Sequence, residues 1–280
     1  MERNEEQIKK FVKKFYGSLA KGKGKSCCLP RAAVSSSCCQ QDVISCQTQT
    51  AVEKLYTDEE LETLPRDIRN MALGCGNPTA IAGLSDGEVV LDLGSGGGID
   101  CFLAAQKVGK RGRVIGLDMT PEMIQLAREN AQKMGTSNAE FRLGEMEHMP
   151  VDDNSVDVII SNCVINLSPD KDAVFREAFS VLKPGGRLCI SDIVLLEELP
   201  KEIKESPEQW AGCIAGALNE NIYLDKIHAA GFVKVTVDRN PVTFCTENDA
   251  PQAQKELQTY AKLSGKIASI KVRAFKPSKL

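Results

Sequence analysis

Two kinds of residue in this chain could do chemistry: a glycine loop bounded by carboxylates, and cysteines set in short motifs far apart in the sequence. The loop reads Asp92-Leu-Gly94-Ser95-Gly96-Gly-Gly98-Ile-Asp100. Glycines at this density let backbone amides approach a ligand at the N-terminus of a helix. Asp118 follows 20 residues after Gly98, where a carboxylate can accept from both hydroxyls of a ribose. The dinucleotide fingerprint needs a small residue three positions after Gly96, and position 99 is Ile, so G-x-G-x-x-G fails while G-x-G-x-G holds. The cysteine motifs are Leu73-Gly-Cys75-Gly-Asn-Pro78, Ser161-Asn162-Cys163-Val-Ile-Asn166 and Trp210-Ala-Gly-Cys213. Thiolates of this kind are ligands for soft ions. With only His148 and His228, a histidine-rich metal site is excluded, and no obvious side chain stands ready to act as a general base.

The elements that must position these groups follow from periodicity. Val89 to Leu93 reads as a strand, Ile99 to Val108 as a helix and Arg113 to Asp118 as a second strand, a β-α-β unit that presents the glycine loop at the carboxyl edge of a sheet. Thr120 and Pro121 open a further helix that Gly135 closes. Strands are expected at Ala139 to Leu143, Val156 to Ser161, Gly186 to Ile193, Val233 to Val237 and Ile270 to Phe275, and helices at about Asp170 to Leu182 and Pro251 to Leu263. Lys183-Pro-Gly-Gly186 is expected to terminate the first of these helices. The alternation is that of a wound, mostly parallel sheet with an antiparallel C-terminal strand. Upstream, Ile8, Phe11, Val12, Phe15, Tyr16 and Leu19 fall at helical spacing and need a surface to lie against. The stretch from Gly17 to Thr50 is rich in Gly, Ser, Gln and Cys and reads as a loop or cap, and a helix is expected from about Asp58 to Met71. The division expected is residues 1–84 as an N-terminal helix and cysteine-rich cap, and 85–280 as the ligand-binding domain.

Composition narrows the classes. The formal charge is −3, too close to neutral for the basic field of a nucleic-acid or anionic-membrane binder. No window reaches the roughly 18 consecutive apolar residues of a membrane span, and the N-terminus lacks the apolar stretch of a signal peptide. A cytoplasmic location is therefore expected, and the 11 cysteines, an odd number in a chain too large to need staples, are expected as reduced thiols. Cys189 alternates within a strand, Cys101 opens a helix and Cys245 follows Phe244, so all three read as packed side chains.

The G-x-G-x-G spacing resembles the nucleoside loop of the class I methyltransferases, and together with the three cysteine motifs the chain resembles the arsenite methyltransferase family from about Tyr56 to Pro277. That resemblance implies a Rossmann-like sheet with S-adenosylmethionine bound by Asp92, Gly94, Ser95, Gly96, Asp118, Met119, Glu145, Met146 and Asn162. Glu145 would take the adenine amine, the amide of Met146 would meet the ring, and Met119 would pack on the adenine face. It further implies a pyramidal arsenic(III) site at Cys75, Cys163 and Cys213, with arsenite and methylarsenite as substrates. An upstream cysteine, Cys46 or else Cys39 or Cys38, would support reduction of the pentavalent product, restored by thioredoxin or glutathione. Two other readings remain open: methylation of a small organic, lipid or quinone substrate on the same fold, and an arsenic-binding thiol protein without catalysis.

Overall fold

The computed structural model describes residues 5–22, 55–69, 76–241, 263 and 265–278. At its centre are seven strands in the order β3-β2-β1-β4-β5-β7-β6, where β1 is Val89–Leu93, β2 Arg113–Asp118, β3 Ala139–Leu143, β4 Val156–Asn162, β5 Leu182–Leu195, β6 Val233–Pro241 and β7 Ile267–Phe275. β3, β2, β1, β4 and β5 pair in parallel, and β7 runs antiparallel between β5 and β6. The strand order reverses at β1, so the loops leaving β1 and β4 open a crevice at their carboxyl ends.

Side-chain alternation divides the core. Leu91, Leu93, Ile115, Ile159 and Ile190 face one buried cluster with Val174, Phe175 and Tyr223. Val90, Val114, Val158, Ile160 and Cys189 face the other with Phe102, Leu103 and Ile124. This is the period-two pattern of strands covered on both faces. Cys101 and Cys189 are packed inside it as small apolar side chains.

The helix Glu5–Ala20 (α1) buries Ile8 and Val12 beside Leu167 and Cys213, at the carboxyl edge of the sheet. The expected helix from Asp58 to Met71 is instead two short ones, Asp58–Glu62 (α2) and Arg66–Arg69 (α3). Pro65 interrupts them because it lacks an N–H and pushes the preceding residue out of the helical region. Pro78–Ala82 (α4) follows, and Ile99–Val108 (α5), Pro121–Met134 (α6) and Lys171–Val181 (α7) are the crossover helices. Gly135 closes α6 at φ 64°.

Three boundaries differ from those expected. Lys183-Pro-Gly-Gly186 does not precede β5 but lies within it: pairing passes from Val156↔Leu182 to Val158↔Arg187, so the extra residues are absorbed as a bulge. β6 runs on to Pro241 and β7 begins at Ile267, because each pairs along the other over Arg239↔Ile270 to Pro241↔Ala268. The expected helix at 251–263 lies outside the described residues except for Leu263, which is fully buried.

Candidate active site

The glycine loop leaves β1 and turns into α5. Gly94, Gly96 and Gly98 have φ of 66°, 51° and 94°, a region that L side chains rarely adopt. A Cβ at Gly94 would overlap Val164, whereas one at Gly96 would meet nothing within 4 Å because that position faces open space. The amide of Ser95 donates to Leu117 O at 2.9 Å, which seats the loop on β2. Asp118 braces the same loop from the end of β2: its Oδ2 accepts from Gly96 N at 3.0 Å and its Oδ1 from Thr120 N at 2.8 Å.

Beside the loop lies a cleft that opens to solvent. Of the residues that the sequence proposed, Asp92, Gly94, Ser95, Gly96, Asp118, Met119, Met146, Asn162 and Cys163 line it. Val12 and Tyr16 of α1 line it too, a contribution for which the helix's apolar stripe gave no specific sign. Glu145 is not in the lining: Lys9 and Lys13 both pair with it at 2.8 Å, and these lysines hold its carboxyl below the usual range. The neighbouring Glu147 pairs with Lys9 at 3.1 Å and accepts from Ser168 Oγ at 2.7 Å. The acidic residues after β3 therefore anchor α1 over the cleft.

Among the described residues the lining contains Asp92, Asp100 and Asp118 and no lysine or arginine. Burial raises the carboxyl of Asp92 well above its ordinary range, reinforced by the adjacent Asp100. Burial likewise raises Asp100, to about 6, against the hydrogen bonds it accepts from Asn162 and Tyr56. Asp118 is raised by burial as well. A cation placed beside buried carboxyls restores the charge that burial opposes, so such a cavity suits a nucleoside bearing positive charge, which a sulfonium with an ammonium group supplies. Asp100 and Tyr56 were not anticipated as site residues. Asp100 stood in the glycine motif itself, two positions after Gly98, and was legible there as a carboxylate facing Asp92. Tyr56 carried no local signal, because its contact with Asp100, 3.0 Å from Oη to Oδ1, spans 44 positions.

Cys163 and Cys213 meet on the other wall. β4 ends at Asn162, and Cys163 turns out of it at φ 61° with its amide donating to Ser191 O at 2.7 Å. Cys213 follows the short helix Pro207–Ala211 (α8 is Lys201–Lys204, this is α9) and takes φ 63°, its amide donating to Trp210 O at 2.9 Å. The Cys213 thiol donates to Cys163 O at 2.6 Å. Among the described residues four non-glycines have positive φ, and two of them are these cysteines. Such conformations cost of order 1–3 kcal/mol each and persist where the surroundings enforce them. Cys163 reaches the cleft, and Cys213 sits behind it with Val12, Leu167 and Trp210. Cys75, Cys46, Cys39 and Cys38 lie outside the described residues. Gly76, next after Cys75, is buried against Asn162 and Ser191.

Beneath Cys213 is a polar layer that the sequence did not reveal. Lys171, the first residue of α7, is buried, donates to Ser168 O at 2.8 Å and lies 6.0 Å from the centre of the Trp210 ring. Burial lowers its ammonium to about 8. Asp192 accepts from Asn166 Nδ2 at 2.8 Å and Tyr223 Oη at 3.1 Å, and burial raises it to about 7. Trp210 Nε1 donates to Leu167 O at 3.2 Å, closing the wall that carries both thiols.

The Methyltransferase domain family matches residues 84–262. The Arsenite methyltransferase of Halobacterium salinarum is 40% identical over 283 residues, which cover 99% of this chain and 69% of that protein. The Arsenite methyltransferase of Aquipseudomonas alcaligenes is 44% identical over 166 residues, 57% of this chain and 47% of that protein, so the match takes in about half the length of that relative. Among solved structures, the arsenic(III) S-adenosylmethionine methyltransferase of Chlamydomonas reinhardtii superposes with a TM-score of 0.65 at 34% identity, covering 79% of this chain and 73% of that one. No helix among the described residues is long and apolar enough to cross a membrane. The chain belongs to the arsenite methyltransferase family, enzymes that use S-adenosylmethionine on a class I methyltransferase fold.

Proposed function

We propose that this enzyme methylates trivalent arsenic held by the thiolates of Cys75, Cys163 and Cys213, with arsenite and methylarsenite as substrates. The observation that carries this reading is the 2.6 Å contact between Cys213 and Cys163 beside the nucleoside cleft. Two thiol-bearing residues distant in sequence are thus held in left-handed turns at one point. Arsenite has three hydroxyls, and exchange with three thiols forms three As–S bonds and releases three waters. Arsenic(III) is soft and prefers sulfur. Once the first sulfur has bound, the others act at high effective concentration, which lets the site retain a trace substrate.

When bound, S-adenosylmethionine would supply its sulfonium methyl group: the arsenic lone pair would form the new As–C bond while the electrons of the broken C–S bond remain on sulfur, taking arsenic from +3 to +5. The chain's residues supply position rather than acid–base chemistry, since a lone pair attacks without first losing a proton. Asp118 braces the glycine loop, Cys163 and Cys213 fix the arsenic side, and Val12, Tyr16, Val164 and Leu167 wall the space between them with apolar surface. The pentavalent product returns to +3 when a further thiolate attacks an arsenic-bound sulfur: an S–S bond forms and the As–S electron pair stays on arsenic. Cys46, Cys39 and Cys38 are the candidates for that thiol, and thioredoxin or glutathione would reduce the resulting disulfide.

The test is transfer of labelled methyl from S-adenosylmethionine to arsenite under reducing conditions, beside a panel of phenols, quinones and amines. Labelled methylarsenicals that disappear in Cys163→Ser are the expected result. Methylation of an organic acceptor that persists in Cys163→Ser would overturn the reading in favour of an ordinary small-molecule methyltransferase. Arsenite binding without consumption of the methyl donor would leave only a binding protein.

A further inference from the structure

Asn162, expected at the cofactor, lines the cleft, and its carboxamide also bonds outside it. Oδ1 accepts from Gly76 N at 3.2 Å, and Nδ2 donates to Gly76 O at 2.7 Å. One planar group therefore engages both polar atoms of a single glycine, 86 positions away. The N–H it receives is that of the Cys75–Gly76 peptide. Nδ2 also reaches Asp100 Oδ2 at 3.1 Å, and Asp100 in turn accepts from Tyr56 Oη at 3.0 Å. Gly76 is pressed so closely against Ser191 that a Cβ there would overlap the serine hydroxyl. The backbone carbonyl of that same Ser191 accepts from Cys163 N at 2.7 Å. Gly76, Asn162, Cys163 and Ser191 thus form a closed ring of covalent, hydrogen-bonded and packing contacts.

We propose that Asn162 is a positioning residue, which clamps the backbone at Gly76, the residue that follows Cys75, to the end of the strand that leads into Cys163. This rests on the three-thiolate reading above and adds the device that assembles it. A side-chain carboxamide suits the task because it presents one donor edge and one acceptor edge in a fixed plane. A carboxylate has no donor for Gly76 O and would stand beside Asp100. Burial of Gly76 makes the substitution of either partner felt, since unpaired main-chain groups would be left without water.

The clamp predicts a selective defect. Arsenite has three positions for thiolates and methylarsenite has two, so loss of register at the Cys75 motif should weaken capture of the first more than of the second. The chain's single tryptophan, Trp210, accepts from Cys213 N through its carbonyl at 2.9 Å, so its fluorescence reports arsenical binding at equilibrium without turnover. In titrations of the reduced full-length protein, Asn162→Ala is expected to weaken arsenite binding by about tenfold or more. Methylarsenite binding should change several-fold less, and Cys75→Ser should give the same pattern without further loss in the double variant. Equal weakening of both arsenicals, or arsenite affinity equal to that of the parent, would overturn the clamp while leaving the three-thiolate site standing. A parent protein that binds no arsenite, or binds it as well in Cys163→Ser, would overturn the three-thiolate reading itself and the clamp with it. Far-ultraviolet circular dichroism and urea melts of Asn162→Ala separate a local effect from unfolding. Should that variant unfold, Asn162→Asp, which keeps the acceptor for Gly76 N and loses the donor, must show the same arsenite-selective weakening, and its absence would overturn the proposal.

Discussion

The thiol of Cys213 donates to the main-chain carbonyl of Cys163 across 2.6 Å, although 50 positions separate the two residues. The contact places one sulfur directly against the backbone of the residue that carries the other. Serine is nearly the same size as cysteine and can keep this bond, but its oxygen is a poor ligand for a soft ion. Cys163→Ser and Cys213→Ser should each lower arsenite methylation by about 100-fold or more, as misplacing a reacting centre does. S-adenosylmethionine affinity should change by less than about threefold in either, measured by calorimetry. A parallel loss of cofactor binding would mean that the thiols support the fold rather than the substrate.

The glycines of the nucleoside loop should divide by what surrounds them. Gly94→Ala would drive a methyl into Val164 at a φ of 66°, and overpacking of this kind with backbone strain costs about 2–4 kcal/mol. Gly96→Ala meets no protein atom within 4 Å at a φ of 51°, so its cost to stability should be about 1–2 kcal/mol from strain alone. Its methyl group points into space that a ligand would use. Urea melts with and without S-adenosylmethionine check both: Gly94→Ala should be the less stable protein, and Gly96→Ala should lose most of the stabilisation by ligand. The reverse order would contradict the geometry of the loop.

Helix α1 is seated by charge at one edge. Lys9 and Lys13 flank Glu145, and these side chains are partly exposed, so each pair contributes only about 0–1 kcal/mol and weakens with salt. Because Val12 and Tyr16 of this helix wall the cleft, Lys9→Glu with Lys13→Glu should speed cofactor dissociation several-fold at low salt. Stopped-flow release at low and high ionic strength checks it. A release rate that is the same in the parent and the variant at low salt would show that the ion pairs do not hold the wall in place.

Asp192 gives the fold a dependence on pH. Its carboxyl is raised from 3.8 to about 7 by burial, opposed by the hydrogen bonds from Ile193 N and Tyr223 and by the charge of Lys171. Between those values the folded protein keeps a proton that the unfolded chain has released. The stability from this group is therefore fully present below about pH 4 and lost as pH rises through about 7. Asp192→Asn removes the titration while keeping an acceptor for Asn166 and Ile193 N. Its stability relative to the parent should rise by about 3 kcal/mol from pH 5 to pH 8, read by denaturant melts. A constant difference across that range would show that Asp192 is ionised throughout.

Much of this was legible in the sequence, and the reasons for the remainder are physical. The strands β1, β2 and β4 announced themselves because both faces are buried and apolar, largely β-branched residues dominate each. The glycine loop and Asp118 were legible because they are local in sequence and their spacing is set by one β-α-β unit. Cys163 could be placed at the cleft because it follows a strand at its carboxyl edge. The ion pairs of Glu145 with Lys9 and Lys13 were not legible because these partners lie more than 130 positions away. For Asn162 the position beside Cys163 was readable, but its bond to Gly76 was not. The Pro65 break was readable in principle, since proline inside a helical pattern ends it. The strand passing through Lys183-Pro-Gly-Gly186 was not, because those residue types equally signal a turn.

Capture of arsenic by three sulfurs is most directly tested by X-ray absorption at the arsenic edge, on the reduced full-length protein with one equivalent of arsenite. Three sulfur neighbours should surround arsenic in the parent, and two sulfurs with one oxygen in Cys163→Ser and in Cys213→Ser. A shell of oxygen in the parent, or a sulfur count unchanged in both variants, would contradict the assignment of these residues as the substrate's ligands.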